Sequence, residues 1–201
     1  MSTNTFIDLF AGCGGLSEGF YKQNFKALAH VENDHYSCES LRARMKYYGY
    51  SEKSISVVEK DITDKDIVQK IKNELNGSKI DVILGGPPCQ SFSSLGRAKD
   101  DNSMKNDPRN YLFENYEKIL NYFKPKIFLF ENVMGLLSAK FQNKKVINII
   151  KKKLGKNYKI LDDIDKMVLN SCEYGVPQIR KRVFLIGVRN NINFDIKKIF
   201  N

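Results

Sequence analysis

Short apolar runs recur along the chain, and turn residues or acids bound them, which is typical of buried strands. The strand candidates cover residues 5–10, 26–31, 55–58, 80–84, 126–130, 160–169 and 183–188. Stretches with apolar side chains at helical spacing predict helices after the first glycine turn and over residues 35–48, 65–76, 111–123 and 146–154. Strands that alternate with helices predict one α/β domain over residues 1–201, with a mostly parallel sheet.

The strand over residues 80–84 leads into the stretch Gly85-Gly86-Pro87-Pro88-Cys89-Gln90-Ser91-Phe92-Ser93. Cys89 is therefore predicted just beyond a strand's carboxyl end, where open α/β sheets bind ligands. The two prolines fix φ and restrict the backbone that leads to the sulfur. A thiolate held there would be a strong nucleophile. A small buried hydrophobic side chain is the competing interpretation, and the loop alone leaves both open.

A glycine-rich turn follows the first predicted strand. The third glycine of the dinucleotide-binding pattern falls on Ser17, so the match to a NAD-binding turn is weak. Glycines still indicate the close approach of a ligand or a helix. Glu32 follows about 20 residues later at a strand end, where a carboxylate suits ribose hydroxyls and where a solvated charge is the alternative. The helix dipole accounts for Glu18.

Two further positions follow predicted strands. Asp61 suits an exocyclic amine and Ile62 the face of an adenine, while a cap of the next helix is the alternative for Asp61. Glu131 ends the strand over residues 126–130. Because sequential βαβ units are usually neighbours, Glu131 is expected beside the strand that carries Cys89, although an ordinary strand-terminal acid is also consistent with this pattern.

Two polar stretches remain. Residues 91–110 show no apolar period, which is typical of a disordered segment or a lid, and their position after Cys89 favours a lid. Residues 180–182 are three cations that lead into an inner strand. Burying them unpaired would be costly, so they are expected to face an anion or a polar cleft.

Composition narrows the class of protein. The sequence has 33 Lys and Arg against 23 Asp and Glu, a net charge of +10, which favours a polyanionic partner such as nucleic acid. The four cysteines lack paired metal-ligand spacing, and with two histidines no metal is expected. No apolar stretch has membrane length and no signal-peptide pattern begins the chain, which predicts a cytoplasmic protein without membrane contact.

Several motifs, in this order, resemble those of the cytosine-C5 methyltransferases, which act mostly on DNA. They are residues 6–15 (FIDLFAGCGG), Glu32, Asp61-Ile62, residues 85–93 (GGPPCQSFS), residues 107–113 (DPRNYLF), Glu131-Asn132-Val133 and residues 178–182 (QIRKR). They extend over about residues 5–190, and no single motif would be as specific as their order. The resemblance implies a doubly wound, Rossmann-like fold of the S-adenosylmethionine-dependent type.

The resemblance also implies the roles of individual residues. S-adenosylmethionine would be bound by Phe10, Gly12, Cys13, Gly14, Gly15, Glu32, Asp61, Ile62, Pro88 and Leu112. Cys89 would add to C6 of cytosine, Glu131 would protonate or hydrogen-bond N3, Arg182 would hold the base at O2, and Arg180 would support the site. A thiol cannot reach a stacked base, so the base must leave the helix, and residues 91–110 would close over it.

Family members continue beyond the last predicted strand into a target-recognition domain and two further motifs. The sequence is therefore expected to be most of the catalytic half of a DNA cytosine-C5 methyltransferase, as one chain of a split enzyme, a truncated gene product or a shortened fragment. A restriction-modification context implies double-stranded DNA, a second subunit for target recognition and a cognate restriction endonuclease as partners. A tRNA cytosine-C5 methyltransferase and an inactive cofactor- or DNA-binding remnant remain as alternatives, and a NAD oxidoreductase is more distant.

Overall fold

The structure is a computed structural model that describes residues 3–88, 112–141 and 143–200. Cys89 and the lid predicted over residues 91–110 lie outside the described residues. Contacts divide the chain into two compact units, Met1–Gly86 with Lys118–Ile127 and Pro87–Glu117 with Phe128–Asn201. The single domain over residues 1–201 stays a prediction.

Four parallel strands form the sheet of the first unit: β1 (Thr5–Leu9), β2 (Lys26–Glu32), β3 (Val57–Glu59) and β4 (Val82–Gly85). Their order is β3-β2-β1-β4, as expected when helical connections return each strand to the same direction. Leu9 lies opposite Val31 and Gly85, and Glu32 lies opposite Glu59. The carboxyl ends of all four strands therefore meet at one edge of this sheet.

Three helices connect these strands: α1 (Gly15–Lys22), α2 (His35–Tyr47) and α3 (Ile67–Leu75). The carboxylate of Asp34 caps α2 by accepting a hydrogen bond from the Ser37 N–H at 2.8 Å. A short 3₁₀ helix, Glu52–Ser54, precedes β3. The helices pack by an apolar face at four-residue spacing, which α3 shows with Ile67, Ile71 and Leu75 buried.

The remaining helices are α4 (Leu112–Phe123), α5 (Gly135–Ser138), α6 (Val146–Leu154) and α7 (Ile164–Met167). The remaining strands are β5 (Ile127–Val133), β6 (Lys140–Phe141), β7 (Lys144–Lys145), β8 (Tyr158–Ile160), β9 (Val168–Asn170) and β10 (Lys181–Arg189), with 3₁₀ helices at Ser171–Tyr174 and Ile196–Phe200. In the second unit β10 neighbours β5 and runs antiparallel to β8 and β9. A Cβ on Gly187 would lie 2.1 Å from the Phe128 ring, so this close packing requires glycine.

The predicted fold class, α/β with a mostly parallel sheet, is confirmed. One stretch within it was predicted wrongly, because residues 160–169 do not form a single strand. The helix α7 separates β8 from β9 there, and the Asp163 carboxylate caps that helix by accepting from the N–H groups of Asp165 and Lys166. An aspartate that caps a turn favours a helix start over a continuous strand.

Among the helices that the structure describes, none is long and apolar enough to cross a membrane.

Candidate functional site

The glycine turn, residues 10–15, leaves β1 in an unusual backbone conformation. Phe10 has a φ of 59°, Gly12 of 52° and Gly14 of 84°. A bulky residue such as phenylalanine is rarely found at positive φ; strain of this kind costs on the order of 1–3 kcal/mol and persists only where surrounding contacts enforce it. Such strain is concentrated at ligand sites, so the conformation of Phe10 supports the prediction of a ligand site at this turn.

Glu32, at the end of β2, binds directly to the glycine turn. Its Oε2 accepts the Gly12 N–H at 2.7 Å, and its Oε1 accepts the N–H groups of Asn33 and Asp34 at 2.9 Å each. A carboxylate offers about four acceptor positions. Backbone donors therefore occupy three of them, and the described residues leave one position on Oε2 for a ligand.

Asp61 and Ile62 follow β3 at the same edge of the sheet. The Lys60 N–H donates to the Glu32 carbonyl oxygen at 2.9 Å, which brings this segment alongside the end of β2. Both bonds from Thr63, its hydroxyl and its N–H, go to Oδ1 of Asp61 and hold the pKa of that carboxyl below its usual range. Oδ2 is left for an exocyclic amine, whereas the cap predicted as its alternative role is not made, because Asp66 precedes α3.

The residues at this edge of the sheet fit an adenosine that carries a sulfonium. Among the described residues, no atom lies within 4 Å of a Cβ built on Gly12 or Gly15, which leaves room for a ligand beside the turn. The carboxylates of Glu32, which ends β2, and Asp61, which follows β3, are negatively charged acceptors. They suit hydroxyls, an amine and a cationic sulfur.

Asp8 lies in β1 just before the glycine turn, and sequence reasoning gave it no role. It is fully buried, and the Ser17 hydroxyl of α1 donates to its Oδ2 at 2.6 Å. Burial raises the pKa of Asp8 to about 7, against the opposing effect of the Ser17 hydrogen bond. This bond ties the strand before the turn to the helix after it. The sequence signal is an acid within an otherwise apolar strand.

A second group of predicted residues lies in the second unit. Arg182 at the start of β10 pairs with Glu131 of β5, with 3.1 Å between Nε and Oε1. Burial raises the pKa of Glu131, and the nearby guanidinium groups of Arg182 and Arg180 oppose that rise without cancelling it. Glu131 is therefore more readily protonated than an ordinary glutamate, as a proton donor to a base must be.

The cation run before β10 is divided between two environments. Arg180 and Lys181 are exposed and Arg182 is half-buried against Glu131, which agrees with the expectation that the run faces an anion or a polar cleft. The Asn170 side chain accepts the Arg180 N–H at 3.1 Å, and the Arg180 carbonyl oxygen accepts the Ser171 N–H. The backbone of Arg180 is thereby fixed, while its guanidinium group extends into solvent.

Asn132 is a buried residue that sequence reasoning did not select as part of the site. Its side-chain amide donates to the Pro87 carbonyl oxygen at 3.0 Å, and its side-chain oxygen accepts the Val133 N–H. Because Pro87 stands two residues before Cys89, Asn132 fixes the backbone that leads to the predicted nucleophile. Its place in the motif Glu131-Asn132-Val133 was the sequence signal, although no role was assigned to it.

The structure thus gathers the predicted residues in two places. Phe10, Gly12, Cys13, Gly14, Gly15, Glu32, Asp61 and Ile62 lie at the carboxyl edge of the first unit's sheet. Glu131, Arg180 and Arg182 lie in the second unit, to which half-buried Pro88 and Leu112, the first residue of α4, also belong. Within the described part of the chain, no group of three or more His, Cys, Asp or Glu side chains could hold a metal ion.

Comparison with known proteins identifies the family of the chain. Residues 4–201 match the family model for C-5 cytosine-specific DNA methylase. The type II methyltransferase M.Bpa9945I of Bacillus paralicheniformis is 34% identical over 94% of this chain and 54% of its own length. M.DdeI of Desulfomicrobium norvegicum is 37% identical over 92% of this chain and 40% of its own length.

A crystal structure of an E. coli protein named as a DNA modification methyltransferase encoded within a prophage covers 96% of this chain and 49% of that one. It superposes with a TM-score of 0.71 at 30% sequence identity. The chain spans about half the length of the curated relatives it matches. Because the family model covers nearly every residue, the chain belongs to the C-5 cytosine-specific DNA methylase family.

Proposed function

We propose that this chain is the catalytic part of a DNA cytosine-C5 methyltransferase of the type II restriction-modification kind, with S-adenosylmethionine as methyl donor. The observation that carries the proposal is the pairing of Glu131 with Arg182, in which burial raises the pKa of the carboxyl group beside a cation. Cytosine reacts with a nucleophile at C6 only when its N3 receives a proton or a strong hydrogen bond. A readily protonated carboxyl group next to a guanidinium suits N3 and O2 of that base.

The strand order within the first unit supports one direction for the bound cofactor. Asp61 and Ile62 follow β3, Glu32 ends β2, and the glycine turn follows β1, which neighbours β4. Adenine would lie at Asp61 and Ile62, ribose at Glu32, and the methionine part at the glycine turn. S-adenosylmethionine would supply an electrophilic methyl group, directed towards the segment that continues from β4 to Cys89.

The chain's own residues divide the remaining work. The Cys89 thiolate forms a bond to C6 of the cytosine while Glu131 delivers a proton to N3, and C5 becomes electron-rich. Arg182 donates hydrogen bonds to O2 and stabilises the charge that develops on the ring. Once C5 carries the methyl group, a base from solvent takes the C5 proton, the C6–S bond breaks and the thiolate is regenerated. N3 then returns its proton to the Glu131 carboxylate. Asn132 fixes the Pro87 carbonyl group, two residues before Cys89 in the sequence.

The substrate follows from this geometry and from the charge of the chain. A thiol must approach C6 above the face of the base, so the cytosine has to leave the duplex stack. A net charge of +10 favours the phosphate backbone of DNA. As further partners we propose a second subunit with the target-recognition domain and a cognate restriction endonuclease, and the names of the relatives as type II methyltransferases support a restriction-modification context.

Methyl transfer from tritium-labelled S-adenosylmethionine tests the proposal. The chain is assayed with duplex DNA and, in parallel, with tRNA, both alone and together with a chain that supplies target recognition. We expect label in 5-methylcytosine of the DNA. Label in tRNA alone, or in a DNA base other than cytosine, would contradict the proposal.

A further inference from the structure

The glycine turn is held in place by α2, a helix that carries no predicted site residue. Arg44 Nε donates to the Cys13 carbonyl oxygen at 3.1 Å. A Cβ on Gly14 would lie 3.0 Å from Leu41 Cδ2 and 3.2 Å from Arg44 Cδ. The backbone of the turn therefore lies directly against the side chains of this helix, and Arg44 contributes both packing and a hydrogen bond.

The other end of the Arg44 guanidinium binds α1, which begins where the turn ends. Its Nη1 pairs with Oε2 of Glu18, and the Tyr48 hydroxyl donates to Oε1 of the same carboxylate at 2.7 Å. The Tyr48 hydrogen bond is the largest effect that holds the pKa of Glu18 below its ordinary value. Glu18 thus connects two helices, a role that the helix dipole alone did not predict.

The turn requires such support because of its conformation. Phe10 and Gly14 are held at positive φ, Glu32 accepts the Gly12 N–H, and Arg44 donates to the Cys13 carbonyl oxygen. A strained loop keeps its shape only when several contacts with its surroundings hold it there. The planar fork of an arginine can bond the carbonyl and the carboxylate together, which a lysine ammonium does less well.

We infer that Arg44 is a positioning residue for the cofactor: it keeps the glycine turn in the shape that receives the methionine part of S-adenosylmethionine. This inference rests on the proposed function, because it takes that cofactor and its direction along the sheet as given. Adenine and ribose are assigned to Asp61, Ile62 and Glu32, whereas the hydrogen bonds of Arg44 among the described residues go to Cys13 and Glu18. The loss of Arg44 is therefore expected to weaken binding of the methionine part selectively.

Calorimetric titration with two nucleosides tests this selectivity. S-adenosylhomocysteine carries the whole amino-acid part, whereas 5′-methylthioadenosine lacks it. The variant Arg44→Met removes the donors and the charge at similar side-chain length. Lys46→Met is the matched control, since Lys46 lies on the same helix and pairs with Glu52 without touching the turn. Thermal melting of each variant reports whether it is folded.

We expect Arg44→Met to lower the affinity for S-adenosylhomocysteine by about tenfold, which corresponds to one charge-assisted hydrogen bond. The affinity for 5′-methylthioadenosine should change by less than about twofold. Lys46→Met is expected to change neither affinity. If Arg44→Met is unfolded, Glu18→Gln, which removes the ion pair but leaves the Cys13 bond, is expected to show a smaller loss with the same selectivity.

Two results with a folded Arg44→Met variant would overturn the inference and leave the proposed function intact. One is wild-type affinity for S-adenosylhomocysteine, and the other is an equal loss of affinity for both nucleosides. A wild-type chain that binds neither nucleoside would instead contradict the proposed cofactor, and the inference would be rejected with it.

Discussion

Replacing Asp8 by asparagine is expected to stabilise the protein at neutral and alkaline pH and to change its stability little near pH 4. Asp8 is fully buried in β1, and among the described residues its Oδ1 has no hydrogen-bond partner. Burial raises its pKa from 3.8 to about 7. The folded protein therefore keeps a proton on Asp8 that the unfolded chain has already released.

The sign and the size follow from this difference in proton binding. Between about pH 4 and about pH 7 the folded state binds one proton more than the unfolded state, so the free energy of unfolding falls as the pH rises. Above about pH 7 both states are ionised, and the penalty is constant. Each tenfold difference in proton affinity corresponds to about 1.4 kcal/mol, so the full loss is on the order of 4 kcal/mol. Asparagine does not titrate, so the Asp8→Asn variant does not lose this stability.

Urea unfolding of both proteins across this pH range measures the effect. The difference in unfolding free energy between wild type and Asp8→Asn reports Asp8 alone, because His30 contributes equally to the two proteins. Burial lowers the pKa of His30 to about 4, so its contribution to stability rises with pH over the same interval. In a Ser17→Ala variant the hydroxyl that favours ionised Asp8 is lost, and the inflection should move to higher pH. Parallel profiles for wild type and Asp8→Asn would refute the reasoning.

Four further outcomes are expected at the site. Glu131→Gln should slow adduct formation with DNA by about a hundredfold or more, because the proton for N3 and the ion pair with Arg182 are both lost. The affinity for S-adenosylhomocysteine should be unchanged, because Glu131 is not among the residues assigned to the cofactor. Arg180→Met should move the alkaline limit of the pH–rate profile upward, because one of the cations that lower the pKa of Glu131 is removed; an unmoved limit would argue against Glu131 as the acid. Asn132→Leu should slow methyl transfer by about ten- to a hundredfold through the lost bond to Pro87, which an unchanged single-turnover rate would contradict. Finally, the described residues leave Glu32 one acceptor position, so it can bind only one of the two ribose hydroxyls of S-adenosylhomocysteine. Removing that hydroxyl should weaken binding by about tenfold, and removing the other should weaken it by less than about twofold. Equal losses would exclude this geometry.

The fold was predictable from sequence where local pattern and topology agree. Apolar runs gave β1, β2 and β4, and parallel order then placed Glu32 and Asp61 at one edge with the glycine turn. The strand prediction for residues 160–169 was wrong because their apolar residues fit both the strand period and the helix period. The preference of Asp163 for capping a helix, visible in the sequence, decided the outcome.

The supporting contacts of the site were not predictable in the same way. Arg44 and Glu18 are 26 positions apart and Asn132 and Pro87 are 45 apart, so no local period relates them. Their pairing depends on how α2 packs beside α1 and on where β5 ends. Motifs therefore identified the residues proposed to touch ligands, and only the three-dimensional packing identified the residues that hold them.

Covalent trapping tests the central claim most directly. The chain is incubated with S-adenosylmethionine and duplex DNA in which 5-fluorocytosine replaces cytosine, alone and with a chain that supplies target recognition, and Cys89→Ser is the control. Fluorine at C5 cannot leave as a proton, so a completed methyl transfer leaves the enzyme bound to the base. The account predicts a DNA adduct that requires Cys89 and the cofactor in at least one of the two conditions. No Cys89-dependent adduct in either condition would contradict it.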